Sequence, residues 1–163
     1  MVGVTTLAAA QHADIPSSLK ADHEKLHTDL SALTTLPGRT GEAAKHVAAV
    51  LHEHFVKEEQ VAMPPLALLA PIADGHATPE MRSVIALTDR LKHDMPQMLR
   101  EHQAIVEALN ELGRAAEAEH YPDASRFAEE LTAHAQTEEQ VLYPAAILVG
   151  EYLKLKFPER RTP

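Results

Sequence analysis

One short pattern occurs twice in this chain, and the duplication constrains the fold more than any other feature of the sequence. Residues 54–64 read HFVKEEQVAMP and residues 134–144 read HAQTEEQVLYP, identical at six of eleven positions. The shared positions pair His54 with His134, Glu58 with Glu138, Glu59 with Glu139 and Pro64 with Pro144. Upstream the correspondence continues, with Asp22-His23-Glu24-Lys25-Leu26 against Glu101-His102-Gln103-Ala104-Ile105, and Leu30 and Leu33 against Leu109 and Leu112. Repeats stack into a solenoid only when several copies share buried faces, and two copies are too few. Two similar hairpins that close on each other bury both faces at once, and the result is a bundle with approximate two-fold symmetry.

Apolar residues recur with helical spacing, and no stretch alternates as a half-buried strand does. The expected fold is all-α: an up-down four-helix bundle built from two similar helical hairpins, with an extra C-terminal helix. The first helix begins at residues 16–18, carries Leu19, His23, Leu26, Leu30 and Leu33 on one face, and stops at Leu36-Pro37-Gly38. Thr40 is placed to cap the second helix, whose inner face holds Val47, Leu51, His54, Phe55, Glu58 and Val61 until Met63-Pro64-Pro65 ends it. Residues 66–78 form a connection with room for one helical turn, Thr78-Pro79-Glu80 reads as a capped helix start, and Pro96 as a break or kink. Leu99, His102, Ile105 or Val106, Leu109 and Leu112 make the third stripe, which runs out near Glu119. Pro122 and Asp123 open the fourth helix, which carries Phe127, Leu131, His134, Glu138 and Val141 inward before Pro144 interrupts it. Residues 145 to about 157 form a last apolar helix that caps the bundle or pairs with a second copy. Residues 1–14 are expected as a flexible N-terminal segment and residues 15–158 as the bundle domain.

Composition narrows the chemistry. There is no cysteine, so disulfides, thiolate metal sites and Cys nucleophiles are all excluded, and any metal must be held by nitrogen and oxygen. A net charge of -9 repels phosphate, and the only basic cluster is the tail Lys154, Lys156, Arg160 and Arg161, which argues against nucleic acid as a partner. The first thirteen residues lack the basic residues and long apolar core of a signal peptide, and prolines break the longest apolar run, residues 61–73, so no membrane association and a cytoplasmic location are expected.

Positions i and i+4 share a helix face, so His54 with Glu58, and His134 with Glu138, each present an imidazole and a carboxylate in one direction. An isolated His-x-x-x-Glu is more often a solvated ion pair than a ligand pair. Here both pairs, together with the single His23 and His102, fall on apolar stripes, where a buried charge needs a partner. No Lys or Arg occupies the same inner positions, which leaves a bound metal as the simplest compensation for the two glutamates. If each of two ions takes two histidines and both glutamates bridge, each has four protein ligands and room for one or two more, such as a bridging oxygen and an exchangeable small molecule. Imidazole with carboxylate suits iron, and less well manganese or zinc.

These residues resemble the hemerythrin-like (HHE cation-binding) family, in which four helices carry a His, a His-x-x-x-Glu, a second His and a second His-x-x-x-Glu around a diiron centre. The resemblance spans about residues 16 to 144. It implies that His23, His54, His102 and His134 are iron ligands and that Glu58 and Glu138 bridge two iron ions joined by an oxo or hydroxo group, with zinc or manganese as possible substitutes. The oxygen-carrying members have a His-x-x-x-His on the third helix, where this chain has Met98, His102 and Val106, and this departure counts against reversible oxygen carriage. His27, one turn after His23, is a candidate fifth nitrogen, although its repeat partner is Val106. Glu59 and Glu139 lie about 100 degrees round the helix from the bridging pair, which suits contacts behind the ligands or between helices. Tyr143 is placed to approach the site from the end of the fourth helix, but its counterpart is Met63 and packing accounts for both; His12, His46, His52, His76, His93 and His120 are expected at the surface.

The functional expectation is a non-haem diiron protein that binds or reacts with a small oxidant, O2, H2O2 or NO, at an open iron position, and whether it is an enzyme, a peroxide- or NO-reactive diiron oxidoreductase, stays open. The alternative is a non-catalytic module for iron or oxygen sensing or iron handling, and a third reading gives the ions only a stabilising role. No general base is evident for hydrolysis. A monomer or a homodimer fits equally.

Overall fold

The computed structural model describes residues 14–159. The N-terminal segment up to residue 13, with His12, and the end of the basic tail, Arg160 and Arg161, lie outside the described residues.

Four long helices, α1 (Ser17–Leu33), α2 (Gly38–Lys57), α4 (Ile85–Glu119) and α5 (Pro122–Thr137), form the bundle. α1 packs on α2 and α5, and α4 packs on the same two, so the four close into a ring. Between α2 and α4 run a 3-10 turn (Pro64–Leu68), the short helix α3 (Leu69–Ala73) and a second 3-10 turn (Pro79–Val84). The final helix α6 (Tyr143–Lys156) packs along the N-terminal half of α4, which the bundle proper leaves bare. There Gly150 meets Thr88 so closely that a Cβ would stand 1.9 Å from the Thr88 hydroxyl oxygen.

The core is layered. A large apolar cluster, built around Leu26, Leu30, Val47, Leu51, Phe55, Leu109, Leu112, Phe127 and Leu131, fills one end of the ring. Val61, Leu66, Leu91, Met98, Tyr143 and Ala146 form a second, and Val84, Val149 and Leu153 a third beneath α6. His23, His54, His102, Glu58 and Glu138 are buried beside them, and no Lys or Arg is buried among the described residues.

Three local features depart from the sequence expectations. α4 runs through Pro96 without ending there; Pro96 is exposed, so water can satisfy the Lys92 carbonyl that proline leaves without a donor. Thr40 does not cap α2. That helix begins at Gly38 with no side-chain cap of its own, and the Glu119 carboxylate from the end of α4 accepts hydrogen bonds from Arg39 N (2.9 Å), Thr40 N (2.9 Å) and Thr40 Oγ1 (2.6 Å). Gly38 makes this possible, since its φ is +77 and a Cβ there would lie 2.6 Å from Glu119 Oε1. Finally, Pro144 does not interrupt the fourth bundle helix in the ordinary way. Before each of the repeated prolines the α-helix widens into a π turn, Glu58–Ala62 and Glu138–Leu142, in which Met63 N bonds Glu58 O and Tyr143 N bonds Glu138 O. A proline ring collides with the carbonyl four residues back in an α-helix, and the wider turn moves that carbonyl aside.

Thr40 and Arg39 together hold the Glu119 carboxyl below the usual carboxylate range. A carboxyl group whose pKa falls on folding adds stability above its unfolded-state value, near 4.3 for Glu, and loses that contribution as the pH drops through its folded value. Glu119→Gln should therefore lower the melting temperature at neutral pH, and the gap from the parent should narrow as the pH falls below the ordinary carboxylate range. Thermal melts followed by circular dichroism check this; an equal gap at both pH values would mean that the charge plays no part.

Candidate metal centre

The six side chains singled out by the duplication meet at one place. His54, Glu58, His102 and Glu138 each bring one ligand atom within 4.8 Å of the others, and so do His23, His134 and Glu138, so the two groups share Glu138. The carboxylates lie between them. Glu58 Oε1 is 3.5 Å from His54 Nε2 while its Oε2 is 3.7 Å from His23 Nε2. Glu138 Oε2 is 3.4 Å from His102 Nε2 while its Oε1 is 3.6 Å from His23 Nε2 and 2.8 Å from His134 Nε2. Each carboxylate thus turns one oxygen to either side.

The rings are held from behind by a second set of carboxylates. His54 Nδ1 lies 3.0 Å from Glu101 Oε2, His102 Nδ1 2.9 Å from Glu139 Oε1, and His23 Nδ1 3.4 Å from Glu59 Oε1. An ionised carboxylate only accepts, so Nδ1 carries the proton in these pairs and Nε2 turns its lone pair inward, the tautomer a metal requires. His23 also stacks on Phe55, with ring centroids 4.1 Å apart and planes at 15 degrees. Partial burial works against ionisation of Glu101, but Lys57, His54 and Gln97 outweigh it and hold that carboxyl down at about 2.

Two observations show that protein groups alone leave this cluster incomplete. His54 Nε2 and His102 Nε2 stand 2.7 Å apart, so two inward lone pairs would face each other with nothing between them unless a proton or a cation intervenes. On the other side, His23 Nε2 and Glu58 Oε2 are buried with no hydrogen-bond partner among the described residues, while His134 Nε2 and Glu138 Oε1 have only each other, 2.8 Å apart. Native interiors seldom leave such atoms unpaired, and His23 Nε2 lies 3.7 Å from Glu58 Oε2 and 3.6 Å from Glu138 Oε1. Nitrogen and oxygen donors in this arrangement fit a cation of the iron, manganese or zinc kind.

The charges tell the same story. Burial resists the ionised form of Glu138, but His102, His134 and His23 overcome it and hold its carboxyl far below the usual range. Glu58 moves the other way, raised by its burial against the pull of His54, with repulsion from Glu138 added. Burial likewise opposes the charged forms of His54 and His134, yet Glu58 raises the first and Glu138 the second above the ordinary histidine value. Two carboxylates this close do not both ionise unless positive charge is supplied.

Two contributors were not legible as such. Glu101, behind His54, aligns in the repeat with Asp22, whose charge helps raise His134 from the equivalent direction. The recurrence of an acid one residue before each single histidine was the available signal. Tyr143, assigned to packing, donates its hydroxyl proton to the Glu58 carboxylate and lies 3.2 Å from His102 Nε2 and 3.5 Å from His54 Nε2. Straight-helix spacing puts residues 141 and 142 next above Glu138, whereas the π turn brings residue 143 there; Val141, expected inward, is 56% exposed. Its counterpart Val61, after the same widened turn, stays buried because Leu19 and the second core cluster cover it. His27 remains exposed, edge-on to Phe55, and does not join the six; His46, His52, His76, His93 and His120 are exposed as expected.

None of the described helices is long and apolar enough to cross a membrane. Comparison with known proteins finds no match among curated sequences or solved structures. A family model described as the Hemerythrin HHE cation binding domain matches residues 14–146, most of the chain and all six clustered side chains. The chain therefore belongs to the hemerythrin HHE cation-binding family.

Proposed function

We propose that this protein holds two iron ions, one between His54 and His102 and one between His23 and His134, bridged by Glu58 and Glu138, and that a small oxidant, dioxygen, peroxide or nitric oxide, binds or reacts at an open iron position. The reading is carried by the two donor groups that share Glu138, together with the buried His23 Nε2 and Glu58 Oε2, which find no protein partner. The iron pair would supply the redox chemistry. The protein's part is positional. Glu59, Glu101 and Glu139 fix ring orientation and keep Nε2 free, and the apolar layers on either side keep bulk water from the carboxylates. His134 is the least covered of the six, its side chain 16% exposed, and marks the edge where a small molecule has the shortest approach.

Purified protein loaded with iron should carry about two irons per chain and change its visible spectrum with peroxide, oxygen or nitric oxide. Repeated turnover of peroxide or nitric oxide would make it an oxidoreductase, whereas a single stoichiometric change would favour the sensing or iron-handling alternative. Chelation that unfolds the chain, with no response to any of the three molecules, would leave the metal a structural role and overturn the proposal.

Glu58→Ala removes a carboxylate facing both donor groups, and Glu59→Ala removes only a support behind His23. The first should abolish loading of the pair, and the second should weaken affinity by about 10–100-fold, the usual effect of losing such a support. Equal losses in metal analysis would contradict the assignment of Glu58 to the bridging position.

A further inference from the structure

The duplication predicts two equivalent metal positions, and the structure makes them unequal. On the His54 and His102 side the four ligand-type atoms are joined by the Tyr143 hydroxyl, which stands 3.2 Å from His102 Nε2, 3.5 Å from His54 Nε2 and in direct hydrogen bond with Glu58. Donors about 2.1 Å from a common ion sit about 3.0–3.4 Å from one another at octahedral or tetrahedral angles. The recognised donors on this side show separations of 2.7 to 3.5 Å. The phenol oxygen is thus spaced as a fellow ligand is, and not as a residue one shell further out. Tyr143 is 1% exposed, and its ring stacks on that of His102 at 5.7 Å and 20 degrees, so the oxygen is directed by packing. The repeat places Met63 at the corresponding point of the other half, and a thioether is a poor donor for iron.

We propose that Tyr143 is a metal ligand: its phenolate oxygen completes the ion held by His54 and His102, leaving the ion held by His23 and His134 as the one with the exchangeable position. This rests on the two-iron reading above. On binding, the phenol proton now shared with Glu58 leaves to solvent and the oxygen takes its place on the ion, with no change in oxidation state. The asymmetry agrees with the unpartnered buried atoms, His23 Nε2 and Glu58 Oε2, which lie on the side that Tyr143 does not reach.

A phenolate on ferric iron produces a charge-transfer band in the visible, and resonance Raman excited in that band shows tyrosinate ring modes. The full-length, iron-loaded, oxidised protein should show both. The other tyrosines, Tyr121 and Tyr152, lie away from the cluster, so a Tyr121→Phe/Tyr152→Phe variant, whose only tyrosine is Tyr143, should keep the band and the modes. Tyr143→Phe should lose both while holding about two irons per chain and a native circular dichroism spectrum. If Tyr143→Phe fails to load iron, the single-tyrosine variant still decides the assignment by keeping or losing the Raman modes. Wild-type protein with two irons and no tyrosinate modes would overturn the role of Tyr143 and leave the two-iron reading standing. Wild-type protein without an iron pair would overturn both.

Discussion

Everything in this molecule is arranged around two carboxylates that have been taken out of water with no basic side chain beside them. An uncompensated buried ion costs several kcal/mol even after relaxation, which is comparable to the roughly 5–15 kcal/mol that separates a folded domain from its unfolded chain. Burial of one leucine contributes about 1.5–3 kcal/mol, so each of these charges standing alone would offset the burial of a few leucines. Imidazoles moderate the problem without removing it. They hold the Glu138 carboxyl well below the usual range, leave that of Glu58 raised by its burial, and leave His23 Nε2 and Glu58 Oε2 without partners. A cation supplies the missing charge and the missing partners in the same step, and this makes the site a physical requirement of the core as well as a place for chemistry.

Much of this was legible in the sequence because it depends on period and symmetry. A histidine recurring on an apolar stripe, with a glutamate four residues on, fixes a face, and duplication fixes that two such faces meet. His23, His54, Glu58, His102, His134 and Glu138 needed nothing more to be brought together. The inner position of Tyr143 was hidden because it depends on a change of helical period. Two halves with the same Glu-Glu-Gln-Val followed by proline both widen into a π turn, and a straight wheel drawn through them misplaces whatever follows. Glu119 was hidden for a different reason. Its partners, Arg39 and Thr40, lie eighty residues away at the start of another helix, and a long-range cap leaves no periodic trace.

The π turns also place different side chains over the two carboxylates, although the halves agree in pattern. Each inserts one residue between its glutamate and its proline-bearing segment, and each therefore brings residue i+5 over the carboxylate. In the first half that residue is Met63, followed by two prolines and a 3-10 turn that leads the chain away. In the second it is Tyr143, and the chain continues as a helix of fourteen residues. One small difference in sequence, a phenol for a thioether, falls on the position that the π turn brings over the carboxylate.

That continuation ties the site to the far end of the molecule. Tyr143 is the first residue of α6, and α6 is seated on α4 by the contact of Gly150 with Thr88 and by Val149 and Leu153 beneath. The same α4 carries His102, one of the two imidazoles that the Tyr143 oxygen approaches. The phenol and the imidazole are therefore placed by two helices that are locked together some distance from the carboxylates. A shift of α6 along α4 would move the Tyr143 oxygen relative to His102 and Glu58 while leaving the four bundle helices, with His23, His54, His102 and His134, where they are. The C-terminal helix is thus more than a lid on the core: it is the element through which packing at Thr88 and Gly150 reaches the His54 and His102 side of the cluster.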